Sequence, residues 1–124
     1  MSLVDFFIDY RSGTEPMFSD PDRSRERIFQ DSVELHVAER SYSLPQATLV
    51  WIYSDITARN NGKASQALRW LTDLADKHGV DLDLTVEPKG GLNRVELRRW
   101  YRRYGFTFDR RFNGFRLNKK EAVS

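Results

Sequence analysis

The stretch Thr48-Leu49-Val50-Trp51-Ile52-Tyr53-Ser54-Asp55-Ile56, followed by Arg59-Asn60-Asn61-Gly62-Lys63-Ala64, decides how this chain is read. Its first part is a dense apolar run of strand length, rich in β-branched and aromatic residues. Its second part is a turn that opens a helix. Ala64, Ala67, Leu68, Leu71, Leu74 and Ala75 recur at i, i+3, i+4 and i+7, which predicts an amphipathic helix from Ala64 to about His78. Gly79 is the expected C-cap, and Lys77 and His78 sit in the last turn, where the helix dipole favours them. Leu82, Leu84 and Val86 then alternate with Asp81, Asp83 and Thr85, the period of a half-buried strand. Strand, helix and strand in this order predict a right-handed crossover between two parallel strands.

Upstream, Val33, Leu35 and Val37 alternate with Glu34, His36 and Ala38, so residues 32–39 are expected to form a strand. A turn containing Pro45 leads from it into the apolar run, and the two strands should pair as an antiparallel hairpin. The run at 48–56 is expected to be interior and covered on both faces. Nearer the N-terminus, Leu3, Phe6, Phe7 and Tyr10 suit either a short strand or a helical turn before Gly13 and Pro16 interrupt them. Asp20-Pro21 reads as an N-cap and a first helical position, predicting a short helix to about Phe29. Downstream, Pro88-Lys89-Gly90-Gly91 is a loop, and a second amphipathic helix is expected over 92–104 with Gly105 as its stop. Segments 106–108 and 112–117 should close the sheet as an antiparallel pair. The fold class is mixed α/β: one domain over 1–124, with a frayed tail from residue 118.

At 124 residues the chain can bury one real core, and 40% hydrophobic content is too much for a wholly disordered chain. It has no cysteine, which excludes disulfides and thiolate chemistry, and its two histidines cannot build a histidine-rich metal site; no metal is expected. No apolar run approaches the roughly 20 residues of a membrane span, and no basic leader precedes an apolar segment, so a cytoplasmic protein is expected. The net charge of +2 hides an asymmetry. Residues 1–88 carry nine Lys or Arg against fifteen Asp or Glu, whereas residues 89–124 carry eleven against three. A basic C-terminal third attracts polyanions, or is the solvated face of a helix.

Gly62 lies just before the helix stripe. The first turn of a helix leaves amides without internal partners, and their positive end suits a phosphate if the chain can approach closely. Gly62 and Ala64 are small, Asn60 and Asn61 tolerate turn geometry, and Arg59 and Lys63 can add charge-assisted contacts. An Asn-Asn-Gly sequence before a helix is also an ordinary turn. It is neither a P-loop nor a dinucleotide fingerprint.

Arg-x-x-Gly-x-Ala after a strand and opening a helix resembles the acetyl-coenzyme A signature of the GCN5-related N-acetyltransferase superfamily. Leu82-Asp83-Leu84-Thr85-Val86 looks like the strand that family places next. Trp100-Tyr101-Arg102-Arg103-Tyr104-Gly105-Phe106 looks like its aromatic-Tyr-x-x-x-Gly-Phe segment. The resemblance covers about residues 49–108. It implies an acyl-coenzyme A N-acyltransferase-like fold, a mostly antiparallel twisted sheet whose one parallel pair splays apart to admit the pantetheine arm. It further implies an acetyl-coenzyme A co-substrate held by Tyr53, Ser54, Arg59, Asn60, Asn61, Gly62, Lys63, Ala64, Asn93 and Arg94. Backbone near Tyr53, Ser54 and Asp55 would polarise the thioester, and Tyr101 would act as general acid at the sulfur. The chain departs from the family's Val-x-Pro-x-x-Arg at Ser54 and Ile56. Lys63 replaces a common apolar residue, and Asn93 falls one place early. The N-terminal part is short for a fold that usually brings two helices between its first strands.

Acyl transfer to an amine requires a neutral nucleophile, a polarised carbonyl and a proton for the leaving thiolate. A phenol with a reference pKa near 10 is protonated at neutral pH and can donate. Without the resemblance, Trp100, Tyr101 and Tyr104 would read as packing residues. Candidates for the base are Glu87 and Asp55 first, with Glu34, His36 and Glu39 on the earlier strand; His78 reads as a helix C-terminal residue. The expected activity is direct acetyl transfer to a primary amine, on a small molecule or a protein, since no cysteine can carry an acyl-enzyme intermediate. Two other classes stay open. One is a non-catalytic protein binding an acidic partner or nucleic acid through its arginines. The other is an interaction module, a homodimer included, working through Trp51, Trp70 and Trp100.

Overall fold

The computed structural model describes residues 2–41, 46–54, 62–86 and 93–119. Its elements run α1 (Ser2–Ser12), β1 (Glu15–Pro16), a one-turn 3-10 helix (Pro21–Arg23), β2 (Glu26–Phe29), β3 (Val33–Ser41), β4 (Gln46–Ser54), α2 (Lys63–His78), β5 (Asp81–Thr85), α3 (Arg94–Arg102), β6 (Thr107–Phe108) and β7 (Asn113–Arg116). The seven strands form one mixed sheet in the order β1-β2-β3-β4-β5-β7-β6. Every neighbouring pair is antiparallel except β4 with β5.

The N-terminal segment is a helix because Phe6, Phe7 and Tyr10 then share one buried face, while Val4 and Ile8 point to solvent. Tyr10 Oη donates to the Arg25 carbonyl at 2.7 Å, which docks α1 on the sheet. Gly13 comes next because a Cβ there would stand 2.4 Å from the Trp70 ring. Trp70, on α2, is packed between Tyr10 and Phe29.

The helix expected from Asp20 to Phe29 is corrected. Asp20 does cap, accepting from the Asp22 amide at 2.9 Å, but the turn stops at Arg23 and the chain enters β2. The reason is Arg27, which as a strand residue shares the buried face of Phe29. Its guanidinium donates to Thr14 Oγ1 at 2.6 Å and to the Thr14 and Arg11 carbonyls at 3.0 and 3.2 Å. A buried cation needs such partners, and a helix over the same residues would have offered only a weak apolar face.

The β3–β4 hairpin forms as predicted, with one irregularity. His36 lies opposite Trp51 and Val37 opposite Leu49, so Val50 has no partner across the hairpin and bulges outward, 40% exposed. Val33, Leu35 and Val37 share the helix-covered face with Ala47, Leu49 and Ile52. Glu34, His36, Trp51 and Tyr53 share the opposite face, which is only half buried. The expectation that 48–56 is covered on both faces is therefore wrong for β4, and Asp55 and Ile56 lie outside the described residues.

α2 matches its sequence pattern closely. Ala67, Leu68, Leu71, Leu74 and Ala75 are buried, and Gly79 at φ +68° ends the helix, with the Val80 amide donating to the Ala75 carbonyl at 2.8 Å. α2 is locked to the far end of the sheet by Arg116, 4% exposed. Its guanidinium makes two 2.9 Å bonds to the Asp76 carboxylate, while Nε donates to the Tyr104 carbonyl at 2.7 Å. The chain stays tied beyond residue 118: the Asn118 amide donates to Asp81 and the Lys119 amide to Asp76, at 2.8 and 2.9 Å. Residues 120–124 lie outside the described part.

Burial alone would raise the Asp76 carboxyl, but the Arg116 and Lys119 bonds outweigh it and hold it below the usual carboxylate range. The folded pKa lies below the unfolded value, so this stabilisation is complete above about pH 4. It is lost as pH falls through the folded pKa. Arg116→Gln should cost about 2 kcal/mol at pH 7, discounted for the partly exposed carboxylate. In urea titrations the gap between variant and wild type should narrow in acid; a constant gap from pH 7 to pH 2 would sink this account.

Candidate functional site

β4 and β5 pair over three residues, Gln46 with Asp81, Ala47 with Leu82 and Thr48 with Asp83. Asp83 fastens the join, accepting from Gln46 Nε2 at 2.9 Å and Thr48 Oγ1 at 2.5 Å. Pairing stops there, although β4 continues to Ser54 and β5 to Thr85. A cleft of about 50 Å³ occupies the divergence, lined by Leu49, Val50, Trp51, Ile52, Thr85, Leu97 and Tyr101.

Tyr101 enters from α3, 8% exposed and edge-on to Phe106, with Trp100 and Phe108 as further ring neighbours. Among the described residues its hydroxyl makes no hydrogen bond. Burial is the one influence on the phenol, and it pushes the pKa above its ordinary value. Tyr101 is thus a neutral donor across the physiological range. Among the described residues no arginine lowers the cost of its phenolate, so sharing a hydrogen bond suits it better than surrendering a proton.

Of the turn at 59–64, Gly62, Lys63 and Ala64 are described, at the start of α2. Gly62 caps the helix at φ +74°, ψ +17°, accepting from the Gln66 amide at 3.0 Å. Nothing lies within 4 Å of where a Cβ would be, so glycine is required by the left-handed backbone and not by space. Lys63 and Ala64 come next, half-buried, and no acidic side chain occupies the first turn. Ser65, which no motif singles out, accepts from Trp100 Nε1 at 2.9 Å. That bond ties the first turn of α2 to the helix carrying Tyr101. Its only sequence signal is a small polar residue in the first turn.

The remaining predicted residues divide sharply. Tyr53 and Ser54 lie on β4 beyond its pairing with β5. Asn93 caps α3 in a capping box, its side chain accepting from the Glu96 amide at 2.9 Å while Glu96 accepts from the Asn93 amide. Arg94 is exposed, its guanidinium 5.8 Å from the Phe112 ring centre. Asp55, Arg59, Asn60, Asn61 and Glu87 lie outside the described residues.

Of the other base candidates, Glu39 bonds Arg25 and lies away from the cleft. Glu34 stands opposite Tyr53. His36 is edge-on to Trp51 at 4.6 Å, which places it one ring from the cleft. Burial lowers the His36 pKa, more than the facing Glu26 raises it, so the imidazole is neutral at pH 7. Glu26 is itself held by Arg23 through two 2.7 Å bonds. His78 bonds Asp9 at 2.7 Å and ties α2 to α1. No cluster of three His, Cys, Asp or Glu able to hold a metal ion occurs among the described residues.

A larger, more open hollow of about 510 Å³ runs along β5, β7 and β6, bordered by Asp83, Thr85, Thr107, Asp109, Asn113 and Phe115. It shares Thr85 with the Tyr101 cleft. Asp109 is held below the usual carboxylate range by bonds from the Asn113 amide and side chain and the Arg111 amide. Among the described residues, no helix is long and apolar enough to cross a membrane.

Gly62→Ala should lower stability by about 1 kcal/mol, because an L-residue is strained at this φ. The melting temperature should drop by a few degrees; no change would mean that the turn relaxes out of the left-handed region. Compared with family models, curated proteins and solved structures, the chain matches none.

Proposed function

We propose that the protein transfers an acetyl group from acetyl-coenzyme A to a primary amine, in an acyl-coenzyme A N-acyltransferase-like fold. The observation that carries this reading is the divergence of the one parallel pair after Thr48 and Asp83, with Tyr101 in the lining of the cleft that opens there. Strand backbone exposed by such a divergence must find another partner. The amide groups of a pantetheine arm supply one. The glycine-capped mouth of α2 comes after β4 in the chain, and it suits the pyrophosphate at the other end of the same cofactor.

In this reading the neutral amine attacks the thioester carbon, whose carbonyl is polarised by backbone amides near Tyr53 to Asp55. The carbon–sulfur bond breaks and the electron pair leaves with sulfur, stabilised by a hydrogen bond from Tyr101. The proton released by the amine passes to Asp55 or Glu87, or through water to neutral His36. Lys63 and Arg94 add charge toward the phosphates.

Calorimetry with acetyl-coenzyme A should give saturable binding; absence of heat at high micromolar cofactor removes the reading. Tyr101→Phe should keep that affinity and slow thiol release with a panel of primary amines by roughly 10²-fold. An unchanged rate would take Tyr101 out of its role while leaving the cofactor site standing.

A further inference from the structure

The outer side of α3 is rich in arginines, with Val95 and Glu96 exposed among them. With Leu97, Trp100 and Tyr101 turned inward, Arg94, Arg98, Arg99, Arg102 and Arg103 share the opposite side. The tip of the β6–β7 hairpin extends this surface with Arg110 and Arg111. Contact between the two pieces is direct, because the Arg94 and Arg98 guanidiniums lie 5.8 and 4.9 Å from the ring centre of Phe112. None of these arginines has a carboxylate within ion-pair distance among the described residues. Elsewhere Arg23, Arg25 and Arg116 each have one.

The arrangement opposes the fold's own stability. Arg94 and Arg98, Arg98 and Arg102, and Arg99 and Arg103 are like charges four residues apart, each pair destabilising by a few tenths of a kcal/mol. Arg94 also begins the helix, the end where the dipole disfavours cations, whereas Arg99 and Arg102 lie in the last turn, where it favours them. We propose that this surface binds the phosphodiester backbone of a nucleic acid. The planar guanidinium matches phosphate through two parallel hydrogen bonds, and the all-arginine composition fits that chemistry better than a mixed Lys and Arg surface would. Residues 94–103 span about 14 Å of helix, enough to face more than one phosphate of a strand. A protein interface would need an apolar centre, and the stripe offers one exposed apolar side chain, Val95. The inference is independent of acetyl transfer, since Arg94 is the only residue common to both.

Fluorescence anisotropy with a labelled 20-nucleotide single-stranded RNA and a 20-base-pair DNA duplex tests it, with poly-glutamate as competitor. Arg98→Gln/Arg102→Gln/Arg103→Gln should weaken binding at least tenfold at 0.1 M salt. It should also reduce the slope of log K against log salt by about two for the single strand. Arg11→Gln/Lys77→Gln/Lys119→Gln, which removes the same charge elsewhere, should leave binding within about threefold. Arg102→Gln/Arg103→Gln, both fully surface positions, provides a milder variant should the triple lose its fold. The relative affinities of RNA and DNA identify which backbone is preferred. No binding to either at 50 mM salt overturns the proposal, as does equal loss in the control variant. Displacement of RNA by poly-glutamate at matched charge overturns it in favour of an acidic protein.

Discussion

Three residue pairs and one carboxylate hold this sheet together. β1 to β4 form one antiparallel run and β5, β7 and β6 another, and only the short parallel contact of β4 with β5 joins them. Asp83 sits at its end, 9% exposed, with both oxygens engaged by Gln46 and Thr48 across the join. A buried carboxylate bonded in this way is strong because the alternative, an unpartnered charge out of water, is so costly. Immediately past it the strands separate. The same residue therefore closes the sheet and sets the depth at which it opens.

Around that join the molecule is reinforced asymmetrically. On one side α1 and α2 cover the sheet through Tyr10, Trp70 and the leucines of α2. Arg116 binds β7, α2 and the turn after α3 into one unit, and the Trp100–Ser65 bond adds the first turn of α2 to it. The mouth of α2 and the side chain of Tyr101 are thus rigidly related although they lie nearly forty residues apart. Preorganisation of this kind is what acyl transfer by positioning requires. The dry setting of Tyr101 refines its proposed part. With aromatic neighbours and, among the described residues, no cation beside it, it donates a hydrogen bond more readily than it gives up its proton.

Much of the fold is readable from spacing alone. α2 is legible because its stripe, its Gly79 cap and its basic last turn agree, and β3 and β5 because alternation by two is unambiguous over five or more residues. The 20–29 segment is not. Asp20-Pro21 is a true cap, but the path of the chain after Arg23 is decided by Arg27 finding carbonyls around a separate helix, a tertiary demand invisible in local pattern. At the site, Gly62 and Tyr101 stand out through motif spacing. Ser65 does not, because a serine bonding an indole thirty-five residues away leaves no periodic trace. Asn93 caps α3, a role that its Asn-x-x-Glu spacing encodes.

The outward bulge of Val50 gives β4 two phases in one strand. Before it, odd-numbered residues face the core; after it, even-numbered ones do, which is how Leu49 and Ile52 come to lie on the same side. The strand is consequently tolerant at this point of changes in identity and of the loss of its one extra residue. Substituting Val50 alters one half-exposed side chain. Deleting it would bring Leu49 directly before Trp51 and restore unbroken alternation, with Ala47, Leu49 and Ile52 still facing the core and Trp51 and Tyr53 still facing away. The extra residue works as a punctuation mark, separating a segment written for packing from one written for the surface.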